Sequence, residues 1–262
     1  MNTNHILYTT RSYPIWTLGA YFLILLISGG YLLTTYIESD FQQDDFFKII
    51  YCHVPCAWLA LQLFVVMLGL AITYLVKKNP IYFIFIKTIT GLGTVFSTLT
   101  LISGSLWAKP IWGSYWVWDG RLTAMFLLSI IYIAILLSQS EKIRLSLIFL
   151  GSINLPIIKY SVDWWNSLHQ PSTFKHFTIA QDMFSSVILI YLSFLALTLL
   201  ITLIEFRIAI LNLKASRYDK QKCASLVTST DFVGQPVFVQ KRGTENPRVH
   251  SSMWGDKKNN KP

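Results

Sequence analysis

Charge is what this chain has least of. Only 13% of its 262 residues are Asp, Glu, Lys or Arg, about half the share found in an ordinary soluble domain. That shortfall excludes a disordered chain and argues against a water-soluble enzyme. Cysteine is scarce too: Cys52, Cys56 and Cys223 are too few for a disulfide framework and lack zinc-ligand spacing. Acidic residues number 13 against 22 basic ones, a formal charge of +9. This excess is not the footprint of a nucleic-acid binder, because it is confined to short loops and the C-terminal end. The sequence has no G-x-x-x-x-G-K-[ST] loop, no H-E-x-x-H and no G-x-S-x-G, so nothing points to an ATPase, a metalloprotease or a serine hydrolase. Paired intramembrane carboxylates, which a proton-driven carrier would need, are missing as well.

What the chain has in quantity is apolar length. Hydrophobic residues make up 53% of it and the mean hydropathy is +0.48. About 20 mostly apolar residues cross a bilayer as a helix, and six segments meet that standard: Pro14–Ile37, Val54–Val76, Ile81–Trp107, Leu122–Ser138, Ile143–Tyr160 and Met183–Phe206. The expected fold is therefore all-α, a polytopic membrane protein with six transmembrane helices in residues 1–210. Asn154 and Pro156 interrupt the fifth span, which neighbouring helices can tolerate. The first apolar run is too long for a secretory signal and has no small-residue cleavage site after it.

Basic residues set the orientation. With the N-terminus inside, sixteen Lys and Arg fall on the inner side and five on the outer, and Lys87 lies near the inner end of the third span. Both termini are expected inside, with outer loops at about 38–53, 108–121 and 161–182. The inner connections, Lys77–Pro80 and Gln139–Lys142, are too short for anything but turns. Residues 211–262 are polar and basic, contain Gly234, Pro236, Gly243 and Pro247, and read as a disordered tail.

The second outer loop carries Trp112, Tyr115, Trp116 and Trp118, with Trp107 just before it, and the third carries Trp164 and Trp165. An interfacial anchor takes one or two rings. A cluster this dense offers a floor for a large flat apolar ligand, since indoles supply contact area at little cost in rotamer entropy. Arg121 is the best cation for a carboxylate on such a ligand, because its planar fork binds bidentately; anchoring of the fourth span is the competing role. Asp119 is expected to fix the loop by hydrogen bonding.

Two of the five histidines flank these loops. His53 lies in Cys52-His-Val-Pro-Cys56, just before the second span, with Pro55 suited to a first helical turn. A helix N-terminus keeps imidazole neutral, the form that binds metal. His169 follows Trp165 by four residues, on the same face if that segment is helical. Paired axial ligation of haem iron is the sharpest reading of the two, and His176 is a second candidate in the same loop. Covalent haem attachment is not indicated, because the sequence has no C-x-x-C-H.

The string Trp112-Gly-Ser-Tyr-Trp-Val-Trp-Asp-Gly-Arg-Leu-Thr123 resembles the tryptophan-rich "WWD" signature of membrane haem-handling proteins. Tyr51-Cys-His-Val-Pro-Cys-Ala-Trp58 and Leu155-Pro-Ile-Ile-Lys-Tyr-Ser-Val-Asp-Trp-Trp-Asn-Ser-Leu-His-Gln170 are similar to the histidine regions of the CcmC branch, which serves c-type cytochrome maturation. The resemblance runs from about Arg11 to Phe206 and departs at Tyr115, where Trp is frequent, and at Gly120, where Ala is common. It implies non-covalent haem b on the outer face between His53 and His169, over a site that includes Trp112, Trp116, Trp118, Asp119, Arg121, Trp164 and Trp165. It also implies delivery to a CcmE-type haem chaperone, with an ABC-type transporter complex and a small membrane helper as further partners. The competing readings are a haem lyase and a small-solute permease, the latter resting on Gln62 and the Asn154/Pro156 break. Ile, Phe, Tyr, Lys and Ser prevail over Ala and Gly, which favours a mitochondrial inner membrane over a bacterial one.

Overall fold

The computed structural model describes residues 13–35, 45–164 and 181–230, all helix and short turns with no strand among them. The helices are α1 (Tyr13–Thr35), α2 (Ile50–Lys77), α3 (Pro80–Trp112), α4 (Gly120–Leu137), α5 (Glu141–Trp164) and α6 (Gln181–Thr230), and a 3-10 turn at Asp45–Ile49 leads into α2. Five of these helices, α2 to α6, are long and apolar enough to cross a membrane, and α1 carries a further apolar stretch at Ile15–Tyr31. The chain is thus a multi-pass membrane protein. By compactness it divides into residues 1–213 and 214–262.

The surface and the core fit a lipid solvent. Ile24, Val65, Ile102 and Leu150 are exposed large hydrophobics, whereas Thr90, Ser97, Ser129, Ser193 and Thr198 are buried. Lipid tails are as apolar as Leu, so helices associate through close packing and small side chains rather than by escaping water. Thr90 returns its proton to its own helix, at the Ile86 carbonyl (2.7 Å), and Thr198 to that of Phe194 (2.8 Å), whereas Ser193 reaches the Phe22 carbonyl on α1 at 3.5 Å.

Glycines admit the closest approaches. A Cβ on Gly93 would run into the Tyr132 ring, and one on Gly151 would lie 2.5 Å from Phe64 Cζ. These contacts join α3 to α4 and α5 to α2, around a core that includes Phe64, Met67, Leu128, Tyr132 and Ile148. Tyr132 closes the arrangement by donating to the Ala60 carbonyl on α2 at 2.8 Å. On α6, Tyr191 donates to Gln62 Oε1 at 2.7 Å, and Phe206 stacks on Phe85 of α3 at 4.7 Å. Gly29 of α1 meets Ile190 of α6.

Three boundaries differ from the sequence expectation. The second helix begins at Ile50 rather than Val54 and continues from the 3-10 turn with its N-cap Ile49 already in helical conformation. Pro55 therefore stands inside the helix, not in its first turn. The third helix runs on to Trp112 and contains Pro110, so it takes the first part of the expected outer loop. The sixth continues to Thr230, and residues 211–230 are helical where a disordered tail was expected. No Gly or Pro occurs between Gln181 and Thr230, and Ala, Leu, Lys, Arg and Gln, which keep helix propensity high, recur through the polar part.

Candidate functional site

The tight turns collect at one end of the bundle. There Lys78, with φ 51°, and Asn79 separate α2 from α3, and residues 138–140 separate α4 from α5. Tyr74 donates to Glu141, and Arg144 Nε donates to the Ser138 carbonyl at 2.7 Å, which ties these turns together. The start of α2, the end of α3, the start of α4 and the end of α5 consequently share the other end, and they carry His53, Trp107, Trp112, Arg121 and Trp164.

His53 sits in the opening turn of α2 and faces α3. Its Nδ1 lies 3.1 Å from the Thr100 carbonyl and 3.1 Å from Ser103 Oγ. Its ring meets Trp107 edge-on, with centroids 6.0 Å apart, and passes so near Gly104 that a Cβ there would be 2.9 Å from Cε1. Trp107 belongs in turn to a small cluster with Phe47, Ile50, Tyr51, Val187 and Ile190. Helical backbone already precedes Ile50, so His53 is not at the helix's N-terminal edge as expected, and side-chain and carbonyl contacts to α3 hold the ring.

The Trp-rich loop is seven residues long, from Gly113 to Asp119, and each of its ends is built from local chemistry. Gly113 closes α3 with φ 75°, a conformation that glycine adopts without strain, and its N–H bonds the Lys109 carbonyl. Lys109 reaches over to donate to the Gly113 carbonyl at 2.9 Å and lies over the Tyr115 ring. At the far end, buried Asp119 is the N-cap of α4 and accepts from the Arg121 N–H at 3.0 Å. Between these two fixed points Trp116 packs edge-on against Trp118 at 5.7 Å and against Phe126 at 5.9 Å.

The loop presents aromatic surface outward. Trp118 is 79% exposed, Tyr115 is exposed, and Trp164 at the end of α5 is 58% exposed and stacked on Tyr160. Trp112, the last residue of α3, is half-buried. Arg121 Nε donates to the Ile158 carbonyl at 3.2 Å, so this side chain joins α4 to α5. Two buried polar atoms lack a hydrogen-bond partner among the described residues, Trp116 Nε1 and Tyr51 Oη, and both lie at this end. Trp165, His169 and His176 lie outside the described residues. No group of three or more His, Cys, Asp or Glu that could hold a metal occurs among the described residues, and the cysteines are free thiols.

Sequence reasoning passed over Thr100, Ser103 and Gly104. The one available signal was Ser103-Gly104-Ser105, a run of small residues inside an apolar helix, which marks a close approach without saying what approaches. Gln62 and Asn154, the polar residues behind the permease reading, are both spent on helix contacts. Gln62 accepts from Tyr191, and Asn154 Nδ2 donates to the Ala124 carbonyl at 2.7 Å.

Comparison with known proteins places these features in a family. The model of the CcmC family, heme exporter protein C, matches residues 2–221. A ccmC-like mitochondrial protein of cytochrome c biosynthesis from Marchantia polymorpha is 41% identical over 186 residues, covering 70% of this chain and 82% of the relative. Its counterpart from Arabidopsis thaliana is 36% identical over 216 residues, covering 81% and 84%. Heme exporter protein C of Escherichia coli K12 is 35% identical over 190 residues, covering 70% and 78%.

Proposed function

The chain belongs to the CcmC family and serves haem handling in c-type cytochrome maturation, and from that premise we propose that it holds haem at the Trp-rich end of the bundle and hands it to a haem chaperone. The observation that carries this is the placement of His53. An imidazole oriented through Nδ1 by α3 stands at the same end as the exposed faces of Trp118 and Trp164. A planar apolar macrocycle needs flat contact area and an iron ligand, and this end supplies both.

Haem is the cargo here, and the residues present suit it. His53 would supply one nitrogen ligand to the iron, and His169, in the third outer loop, would supply the other. Trp112, Trp116, Trp118, Trp164 and Trp165 shield the macrocycle from water and give it stacking surface. The partnerless Trp116 Nε1 is a donor suited to a propionate carboxylate. Asp119 fixes the end of the Trp-rich loop at the start of α4, Arg121 ties it to α5, and the guanidinium adds positive charge near the propionates. With no C-x-x-C-H in the sequence, the haem is b-type and bound non-covalently, which suits a carrier that must release it. The protein acts in carriage rather than catalysis.

The outer end faces the compartment where cytochrome c is assembled, in a mitochondrial inner membrane or its bacterial equivalent. A CcmE-type chaperone receives the haem there, and an ABC-type complex and a small membrane helper complete the assembly. The permease reading loses its support, since Gln62 and Asn154 serve helix packing. Absorption spectroscopy tests the proposal: the protein purified in detergent should carry a haem that acid–organic extraction removes intact. A preparation still colourless after haem is supplied would refute it.

A further inference from the structure

Two groups among the described residues face His53 Nδ1 and set which ring nitrogen bears the proton. A carbonyl only accepts, so the 3.1 Å contact to Thr100 requires a hydrogen on Nδ1. Ser103 Oγ, also at 3.1 Å, has one proton and places it against the carbonyls of Leu99 at 2.7 Å and Thr100 at 3.2 Å. Its lone pairs, not its hydrogen, therefore face the imidazole. With two acceptors at Nδ1, the neutral ring carries its lone pair on Nε2.

Gly104 sets how closely the ring can lie on α3. A Cβ at this position would stand 2.9 Å from Cε1, 3.4 Å from Nδ1 and 3.9 Å from Nε2. Cε1 lies between the two nitrogens, so even one methyl group would push the ring edge away from Thr100. Thr100, Ser103, Gly104 and Trp107 follow the i, i+3, i+4, i+7 spacing of a single helix face, and Trp107 meets the ring edge-on from the last of these positions.

We propose that this face of α3 is a tautomer lock, in which Ser103 and Gly104 are positioning residues that hold Nδ1–H on the helix and commit Nε2 to coordinating haem iron. The inference rests on the reading of His53 as an axial ligand. It also says how firmly that ligand binds. A carboxylate behind a metal-bound histidine raises the basicity of the ring, whereas the acceptors here are a carbonyl and a hydroxyl. The lock fixes geometry and leaves the donor strength modest, as cargo destined for transfer requires.

The test uses the full chain in detergent with ring-15N-labelled histidine, the His53 signal being assigned by its loss in His53→Ala. Before haem is added, the wild-type ring should be neutral with hydrogen on Nδ1. Gly104→Ala should mix the tautomers and speed haem loss to apomyoglobin about ten-fold or more. Ser103→Ala adds no bulk, so it folds even if Gly104→Ala does not. It should keep the Nδ1 proton through Thr100, speed haem loss by a smaller factor and shift the haem reduction potential, with Ser103→Thr returning both values to wild type. Hydrogen on Nε2 in the wild type, or wild-type haem loss and potential in both Gly104→Ala and Ser103→Ala, would overturn the lock. Failure of the ligand reading looks different: His53→Ala would then hold haem normally although the wild-type proton sits on Nδ1, and the coordinating role of the lock would fall with it.

Discussion

Arg121 Nε donates to the carbonyl of Ile158 at 3.2 Å, and this one bond fastens the end of the Trp-rich loop to the end of α5, where Trp164 stands. This bond contributes to how the two aromatic surfaces of the site are set in relation to each other. Arg121→Ala should lower haem occupancy at matched expression while the spectrum keeps its two-histidine form, because the iron ligands are untouched. Arg121→Lys, with one compact charge in place of a planar fork, should restore occupancy only in part. Equal occupancy in all three proteins would show that this bond does not organise the site.

Trp116 separates packing from ligand contact. Its indole N–H is buried with no partner among the described residues, and an unsatisfied donor costs roughly 1–3 kcal/mol. Trp116→Phe keeps an aromatic ring against Phe126 and removes the donor. The haem-free protein should be as stable as wild type or slightly more so in thermal unfolding, and its haem affinity should fall. A variant with unchanged affinity would remove Trp116 Nε1 from the binding account.

Helix packing makes its own prediction. Gly93→Ala puts a methyl group into the Tyr132 ring, and overpacking of this kind costs about 1–3 kcal/mol. Tyr132→Phe gives up only the hydrogen bond to the Ala60 carbonyl and should cost about 1 kcal/mol. Chemical denaturation in mixed micelles measures both. A Gly93→Ala protein as stable as wild type would mean that α3 and α4 do not meet at this point.

The six apolar helices among the described residues, and their order, were legible in the sequence, because long apolar runs leave few alternatives. Their ends were not. Pro55 and Pro110 both stand inside helices: the 3-10 turn at Asp45–Ile49 had already started helical backbone before Pro55, and the stop after Pro110 is supplied by Gly113 rather than by the proline. In the polar part of α6, low hydrophobicity read as disorder, although the first glycine or proline after Gln181 is Gly234. For the candidate site, the placement of His53 and the aromatic loop at one end of the bundle could be read from residue type and spacing. The α3 face that holds His53 could not, because Thr100, Ser103 and Gly104 lie about fifty residues away from it and nothing local pairs them.

Orientation is open to direct labelling. In a version with Cys52, Cys56 and Cys223 replaced by Ser, single cysteines at Ser114 and Ser172 should react with a membrane-impermeant thiol probe added from outside. Cysteines at Asn79 and Ser216 should not. Outside labelling at Asn79 would turn the bundle over and put the Trp-rich loop on the inner face.

The central claim, that haem iron is held between His53 and His169, is tested most directly by the absorption spectra of single histidine variants loaded with haem under identical conditions. His53→Ala and His169→Ala should each lose haem or show an altered Soret band, with exogenous imidazole restoring part of the wild-type spectrum, and His176→Ala should match wild type. Wild-type spectra and occupancy in both His53→Ala and His169→Ala, or a loss confined to His176→Ala, would contradict the account.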